Sequence, residues 1–254
     1  MPEDHPTTPA PSPLLREIFA TQQVYDARGN AVKLDSNISA EECALLHAAV
    51  SELRPQLSVE VGFANGVSAL AILDALHRAG VGHHHVIDPF QRNYDYRGRA
   101  MVERAGLAGR FTFHERFADE VVPTLPPVQF AFIDSSHLFD QTVAEFVMVD
   151  RKLAVGGVVG FHDMWMPSQQ AFIRYVLANR AYAPWQPASA ARQTGAGIQP
   201  RARWLRKLLG KLPRARRVFA EDFLKPWADF DLGNLVLLRK TAEDTRDWRF
   251  HARF

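Results

Sequence analysis

Five apolar runs in this chain end on residues that can do chemistry. Leu57–Val61 contains Glu60 and stops at Gly62, and His84–Ile87 stops at Asp88. Phe111–His114 stops at Glu115, Val128–Ile133 at Asp134, and Val155–Phe161 at His162-Asp163. Gly62 and Gly66 bracket a short loop that leads into a helical pattern. Glycine lets a backbone approach a ligand closely, and the free N–H groups at a helix start attract anions. The spacing is Gly-x-x-x-Gly, so the dinucleotide fingerprint fails, and no Gly-Lys-Ser/Thr follows to make a phosphate loop. Glu60 is an acid inside an apolar run. A buried carboxylate is costly unless paired, and a ligand ammonium would pair with it. Asp88 stands at a second strand end, 22 residues past Gly66, where an acid can accept hydrogen bonds from ribose hydroxyls.

The elements that must position these residues alternate. Ser39 with Glu42 three residues later is a capping box, predicting a helix from about Ala40 to Leu53 that Pro55 ends. Further helices are expected from Gly66 to Gly80, Tyr96 to Ala105, Ala118 to Leu125, Phe139 to Leu153 and Ser168 to Asn179, each after one of the runs. Strand-helix alternation argues for a parallel sheet with helices on both faces. Phe130–Ile133 and Val158–Phe161 are continuously apolar, as strands covered on both faces are. The expected fold class is α/β, a Rossmann-like doubly wound and mostly parallel sheet. A flexible tail (1–13) and a helical extension (14–56) precede the core (57–186). A basic insertion (187–232) then precedes the last strand and C-terminal tail (233–254). In such a sheet the ligand crevice lies beyond the carboxyl ends of the strands, where these polar residues fall. His83-His84-His85 sits in a strand, whose successive side chains alternate faces, so the three cannot chelate one ion together.

Taken in order, Glu60-x-Gly62-x-x-x-Gly66-x-Ser68, His85-Val-Ile-Asp88-Pro89, Phe132-Ile-Asp134-Ser-Ser-His137 and Val155-Gly-Gly157 through His162-Asp163 resemble the class I S-adenosylmethionine-dependent methyltransferases, and among them methyltransferase family 24. The likeness runs from about Ala20 to Tyr182. It implies that Gly62, Ala64, Gly66 and Ser68 shape the loop around the methionine part of S-adenosylmethionine. Glu60 would lie near its amino group, Asp88 would hold the ribose, and Glu115 or its neighbours would lie near the adenine. In related O-methyltransferases, acids after the fourth and fifth strands bind a divalent metal such as Mg. Asp134 and Asp163 match them, with His162 beside the second. Catechol-type enzymes follow the last acid with Asn, whereas Met164 stands here, so the metal set departs from that pattern. Methyl transfer releases a neutral leaving group and needs a deprotonated, aligned acceptor. His137, three residues past Asp134, is the candidate base. The loop Met164-Trp165-Met166-Pro167 reads equally as an apolar wall for the acceptor or as a core anchor.

Composition bounds the rest. One cysteine, Cys43, excludes an intramolecular disulfide and a thiolate zinc cluster. With no signal peptide or transmembrane run in view, a reducing, cytoplasmic compartment is expected. The formal charge of +2 points to no partner, but no acid lies between Asp163 and Glu221 while eleven Lys and Arg do. Residues 192–217 hold nine of them, with Trp204, Leu205, Leu208, Leu209 and Leu212 at helical spacing. Such a segment either packs on its own domain or meets an anionic membrane surface. Nucleic acid is disfavoured, since no recognition motif accompanies it. The leading expectation is a methyltransferase acting on an oxygen of a small-molecule acceptor. The rival is a non-catalytic nucleotide-binding module docked to a membrane or polyanion through the basic arm. A third reading keeps the fold with hydroxylase chemistry at an iron held by Asp134, His162 and Asp163. A homo-oligomer built through the N-terminal segment is left open.

Overall fold

The computed structural model describes residues 12–190, 227–230, 232–250 and 252–254. The basic segment 192–217 lies outside the described residues. The chain begins with α1 (Pro13–Thr21), a hairpin of β1 (Gln23–Tyr25) and β2 (Ala31–Lys33), and α2 (Ala40–Leu53). Strand–helix pairs follow: β3 (Leu57–Val61) with α3 (Val67–Ala79), β4 (His83–Ile87) with α4 (Arg97–Arg104), and β5 (Phe111–His114) with the short α5 (Ala118–Val121). Next come β6 (Val128–Ile133) with α6 (Phe139–Asp150), and β7 (Leu153–Phe161) with α7 (Pro167–Asn179). β8 (Tyr182–Pro184) and β9 (Val236–Lys240) complete the sheet.

The sheet order is β5-β4-β3-β6-β7-β9-β8. The first five strands pair in parallel, and β9 runs antiparallel between β7 and β8. This is the doubly wound α/β sheet expected from the alternation. Two apolar clusters cover its faces. One joins α2 and α3 to the sheet through Leu46, Leu70, Phe130 and Leu237. The other joins α6 and α7 through Phe146, Phe161, Phe172 and Val176. No helix among the described residues is long and apolar enough to cross a membrane.

Three local readings change. Ser12 and Pro13, expected in the tail, belong to the fold, because the Ser12 hydroxyl accepts the Leu15 N–H at 3.2 Å and Pro13 opens α1; residues 1–11 lie outside the described residues. The extension read as helical contains the β1–β2 hairpin, whose turn is closed by Asp26 accepting N–H groups of Arg28 and Asn30. α5 holds only four residues before a single 3₁₀ turn carrying Pro123, since proline lacks the N–H that would continue an α-helix. The three-residue β8 was too short to leave a period in the sequence.

The sheet reverses direction of growth at β3, which pairs with β4 on one side and β6 on the other. A crevice opens beyond the carboxyl ends at such a switch point. Gly62 and Asp134, the first residues past β3 and β6, stand at its mouth. Backbone ties the two strand ends together, with Asp134 N–H donating to Val61 O at 2.9 Å.

Candidate active site

The crevice has a volume of about 470 Å³ and is bounded by the Gly62–Ala64 loop, Asp88, the Phe90–Tyr94 turn, Phe117, Ala118 and the Asp134–Leu138 loop. That size suits a small-molecule or cofactor site. The glycine loop is held open by backbone geometry. Gly62 has φ 94°, and a Cβ there would lie 2.0 Å from Asp134 O. Gly66 has φ 76° and caps α3. Asp88 fastens the loop to β4: its Oδ2 accepts Phe63 N–H and Ala64 N–H at 3.2 Å each, and its Oδ1 accepts Phe90 N–H at 2.7 Å. Asp88 is buried yet lines the crevice. At the far end Phe90 and Phe117 meet edge to face at 5.8 Å and stay more than half exposed. Two uncovered aromatic faces at a cleft favour a flat ring between or upon them.

Glu60 does not face this crevice. It has no exposed surface, and both carboxylate oxygens are engaged inside the fold. Ser68 donates to Oε1, and His84 Nε2 lies 2.9 Å from Oε2. The far nitrogen of His84 meets Ser58 Oγ at 2.9 Å. Burial raises the Glu60 pKa against the pull of His84 and Ser68. A ligand ammonium therefore finds no open oxygen on Glu60, and the Ser68 hydroxyl is turned inward as well. The pair ties the start of α3 to β3 and β4, supporting the loop from beneath. Glu115 is exposed, accepts the Tyr96 hydroxyl at 2.9 Å and does not line the crevice; its neighbours Phe117 and Ala118 do.

On the other side of Asp134 a second group of polar residues gathers. His137 Nε2 lies 3.2 Å from Asp163 Oδ2 and 3.8 Å from Asp134 Oδ1. His162 Nδ1 lies 3.4 Å from Asp134 Oδ1 and 3.4 Å from Asp163 Oδ1. Asp134, His162 and Asp163 each turn one ligand atom into a space less than 4.8 Å across, the one such set among the described residues. His137 and Asp163 take left-handed backbone conformations, with φ 57° and 58°. Non-glycine residues hold that region at a cost of about 1 kcal/mol or more, and such strain gathers at functional sites.

Glu42 and Asn234, to which the sequence assigned no role in the site, complete this group. Glu42 of α2 accepts Ser39 N–H at 2.7 Å through Oε2. Its Oε1 lies 3.2 Å from His162 Nε2 and accepts Asn234 Nδ2 at 3.0 Å. Burial opposes charge on both partners, but the ring's contacts with Asp134 and Glu42 win, so His162 is raised and Glu42 lowered from their usual values. The capping box was legible; that its second oxygen reaches the fifth strand end was not. Glu145 is also in the crevice wall, accepting from Ser135 and Gln141, with its pKa raised by burial. Met164 is buried in the core while Trp165 is two-thirds exposed, its indole N–H on Asp163 Oδ1 at 2.9 Å. The Met164–Pro167 loop is thus both anchor and rim.

Residues 59–164 match the Methyltransf_24 family, described as a methyltransferase domain. The match spans under half of the chain and marks this segment as similar to a methyltransferase domain. No curated protein matches the chain in sequence. Among solved structures, the chain is similar to the O-methyltransferase TomG from Streptomyces achromogenes, in complex with SAM, at 16% identity and a TM-score of 0.53, over 69% of this chain and 82% of that one. It is similar to the O-methyltransferase from Bacillus cereus, in complex with SAH, at 15% identity and a TM-score of 0.55, over 70% and 85%. A methyltransferase from Geobacter sulfurreducens follows at 16% and 0.53, over 70% and 84%. At these identities the likeness carries the fold. In the matched segment, the loop and aromatic rim form one wall of the crevice, and Asp134 joins it to the His137–His162–Asp163 group.

Outside the site, the histidine run divides as strand geometry requires. His84 points to the buried face with Glu60, while His83 and His85 share the other face. His85 Nδ1 lies 2.9 Å from His114 Nε2. Burial, with the charges of His114, His83 and His84 behind it, lowers His85 from 6.5 to about 4. A histidine held neutral in the fold binds its proton more readily when unfolded. Its contribution to stability is full above about pH 6.5 and is lost as pH falls from there towards about 4. Thermal unfolding followed from about pH 7 to about pH 5 is expected to show a falling midpoint, with a shallower slope in His85→Gln. Equal slopes in the two proteins would remove His85 from the acid response.

Proposed function

We propose that this methyltransferase moves a methyl group from S-adenosylmethionine to an oxygen of a small-molecule acceptor, assisted by a divalent cation. The observation that supports it most is the double position of Asp134. It lines the crevice beside the Gly62–Ala64 loop and, within 4 Å, faces both His137 and His162. A methyl donor in the crevice and an acceptor at the polar group would meet across this residue.

When bound, S-adenosylmethionine supplies an electrophilic methyl group on a sulfonium whose departure needs no acid. The residues have the remaining work, which is to deprotonate and align the acceptor oxygen. His137 would take the acceptor proton, with Asp163, 3.2 Å from its Nε2, orienting the ring. Asp134, Asp163 and His162 are the residues that would hold the cation, which would favour the oxyanion form of the acceptor. Their donor set of two carboxylates and one imidazole fits a divalent ion. Phe90 and Phe117 would take the adenine, and Asp88 would accept from the ribose. The exposed indole of Trp165 and side chain of Leu138 offer apolar contact at the acceptor side.

Calorimetry on the folded protein tests the cofactor half directly. S-adenosylhomocysteine is expected to bind with a dissociation constant in the micromolar range, and Gly66→Arg to abolish that binding. No heat of binding in folded wild-type protein would overturn the reading.

A further inference from the structure

We propose that Glu42, brought in by α2 from outside the family-matched segment, is a positioning residue that makes His162 a nitrogen donor to a cation shared with Asp134 and Asp163, and that this site prefers a divalent transition ion to Mg²⁺. The inference rests on the cation-assisted methyl transfer proposed above and gives the cation its class.

Ser39 and Glu42 exchange hydrogen bonds at the start of α2, which fixes the Glu42 backbone and leaves Oε1 to point away from the helix. Asn234, in the turn before β9, donates to that same oxygen at 3.0 Å. Oε1 is thereby held 3.2 Å from His162 Nε2. An ionised carboxylate can only accept, so Nε2 carries the hydrogen of this contact. The ring is then fixed in orientation, and Nδ1 faces Asp134 Oδ1 and Asp163 Oδ1 at 3.4 Å each. Nδ1 and the two carboxylate oxygens converge on one point from the ends of β6 and β7. A divalent cation there would take the place of the Nδ1 proton between the ring and the two carboxylates, with the proton released to solvent.

The spacing suits an ion. Two adjacent ligands at about 2.1 Å from a metal in right-angle geometry lie about 3 Å apart, a small closure from 3.4 Å. The donor chemistry then selects. Mg²⁺ takes oxygen ligands and keeps several waters, whereas imidazole nitrogen suits transition ions. A carboxylate behind a ligating imidazole fixes its tautomer and raises its basicity, and losing such a partner weakens metal binding about 10- to 100-fold. Met164, buried in the core, brings no oxygen donor beside Asp163. The nitrogen of His162 fills that deficit.

Titration of the metal-free full chain with Co²⁺, followed by calorimetry and by visible absorption, tests this without needing an acceptor. Co²⁺ is expected to bind at least about tenfold tighter than Mg²⁺. Glu42→Gln is expected to weaken Co²⁺ about 10- to 100-fold while S-adenosylhomocysteine affinity stays at the wild-type value. Ser39→Ala separates the two jobs of Glu42: it removes the hydroxyl that caps the helix but keeps the backbone N–H that holds Glu42 Oε2, so it is expected to lower the melting temperature with Co²⁺ affinity unchanged. His162→Asn serves if Glu42→Gln does not fold, and is expected to reverse the preference towards Mg²⁺. Co²⁺ binding no tighter than Mg²⁺, or unaltered in both Glu42→Gln and His162→Asn, would overturn the proposal. Loss of S-adenosylhomocysteine binding in the wild type would instead strike the methyl-transfer reading.

Discussion

Gly62→Ala is expected to abolish S-adenosylhomocysteine binding and to lower the melting temperature by about 10 °C, the fall that about 3 kcal/mol produces in a chain of this size. Two effects add. At φ 94° a side chain is strained whatever space surrounds it. In addition, the new Cβ would lie 2.0 Å from the Asp134 carbonyl oxygen, 2.7 Å from its carbon and 3.2 Å from Ser135 Cα. These are backbone atoms, so no rotamer can move aside. Relief requires β3 and β6 to part at their carboxyl ends by more than an ångström. That is where the loop, the crevice and Asp134 are joined. Differential scanning fluorimetry and calorimetry on the same preparation would show both losses. A variant with wild-type affinity would mean that the two strand ends do not approach as described.

Asp134→Asn is expected to behave in the opposite manner, keeping the cofactor and losing the reaction. The side chain changes by one atom, and the backbone hydrogen bond from Asp134 N–H to Val61 O is untouched. S-adenosylhomocysteine affinity should stay within about threefold, since asparagine alters the crevice wall by less than 1 kcal/mol of contact. Turnover should fall by roughly 100-fold or more, the usual scale for losing acid–base or metal assistance. The carboxylate faces both His137 and His162, so its charge serves the base and the cation together. Release of S-adenosylhomocysteine during a screen of hydroxylated small molecules would supply the assay. Unchanged turnover in Asp134→Asn would move the chemistry away from this strand end.

Glu60 shows where strand-end reasoning overreached. An acid in an apolar run needs a partner, and a ligand was a reasonable one. The partner is His84, from the middle of a histidine run on the neighbouring strand. The β3–β4 register sets Ser58 opposite His84, and this places His84 diagonally from Glu60. A sequence carries no register between parallel strands separated by a helix, so the pairing could not be read. At the third strand end the neighbours of Glu115, rather than Glu115 itself, line the crevice. The strand ends where expected, but the chain turns the Glu115 side chain to Tyr96 and presents Phe117 to the crevice instead.

The glycine loop, the alternating elements and the order of polar strand ends follow from the sequence alone. They depend on local preference, hydrophobic period and the rule that parallel strands present their carboxyl ends on one edge. Asp134, His137, His162 and Asp163 were therefore legible as neighbours before any distance was known. Tertiary structure decided which carboxylates remain available. It sealed Glu60 with His84, turned Glu115 outward, and brought Glu42 across 120 residues of sequence to the ring of His162. Each of those outcomes is a pairing between side chains on separate elements. Local chain chemistry fixes what a residue can do, and packing fixes which partner it meets.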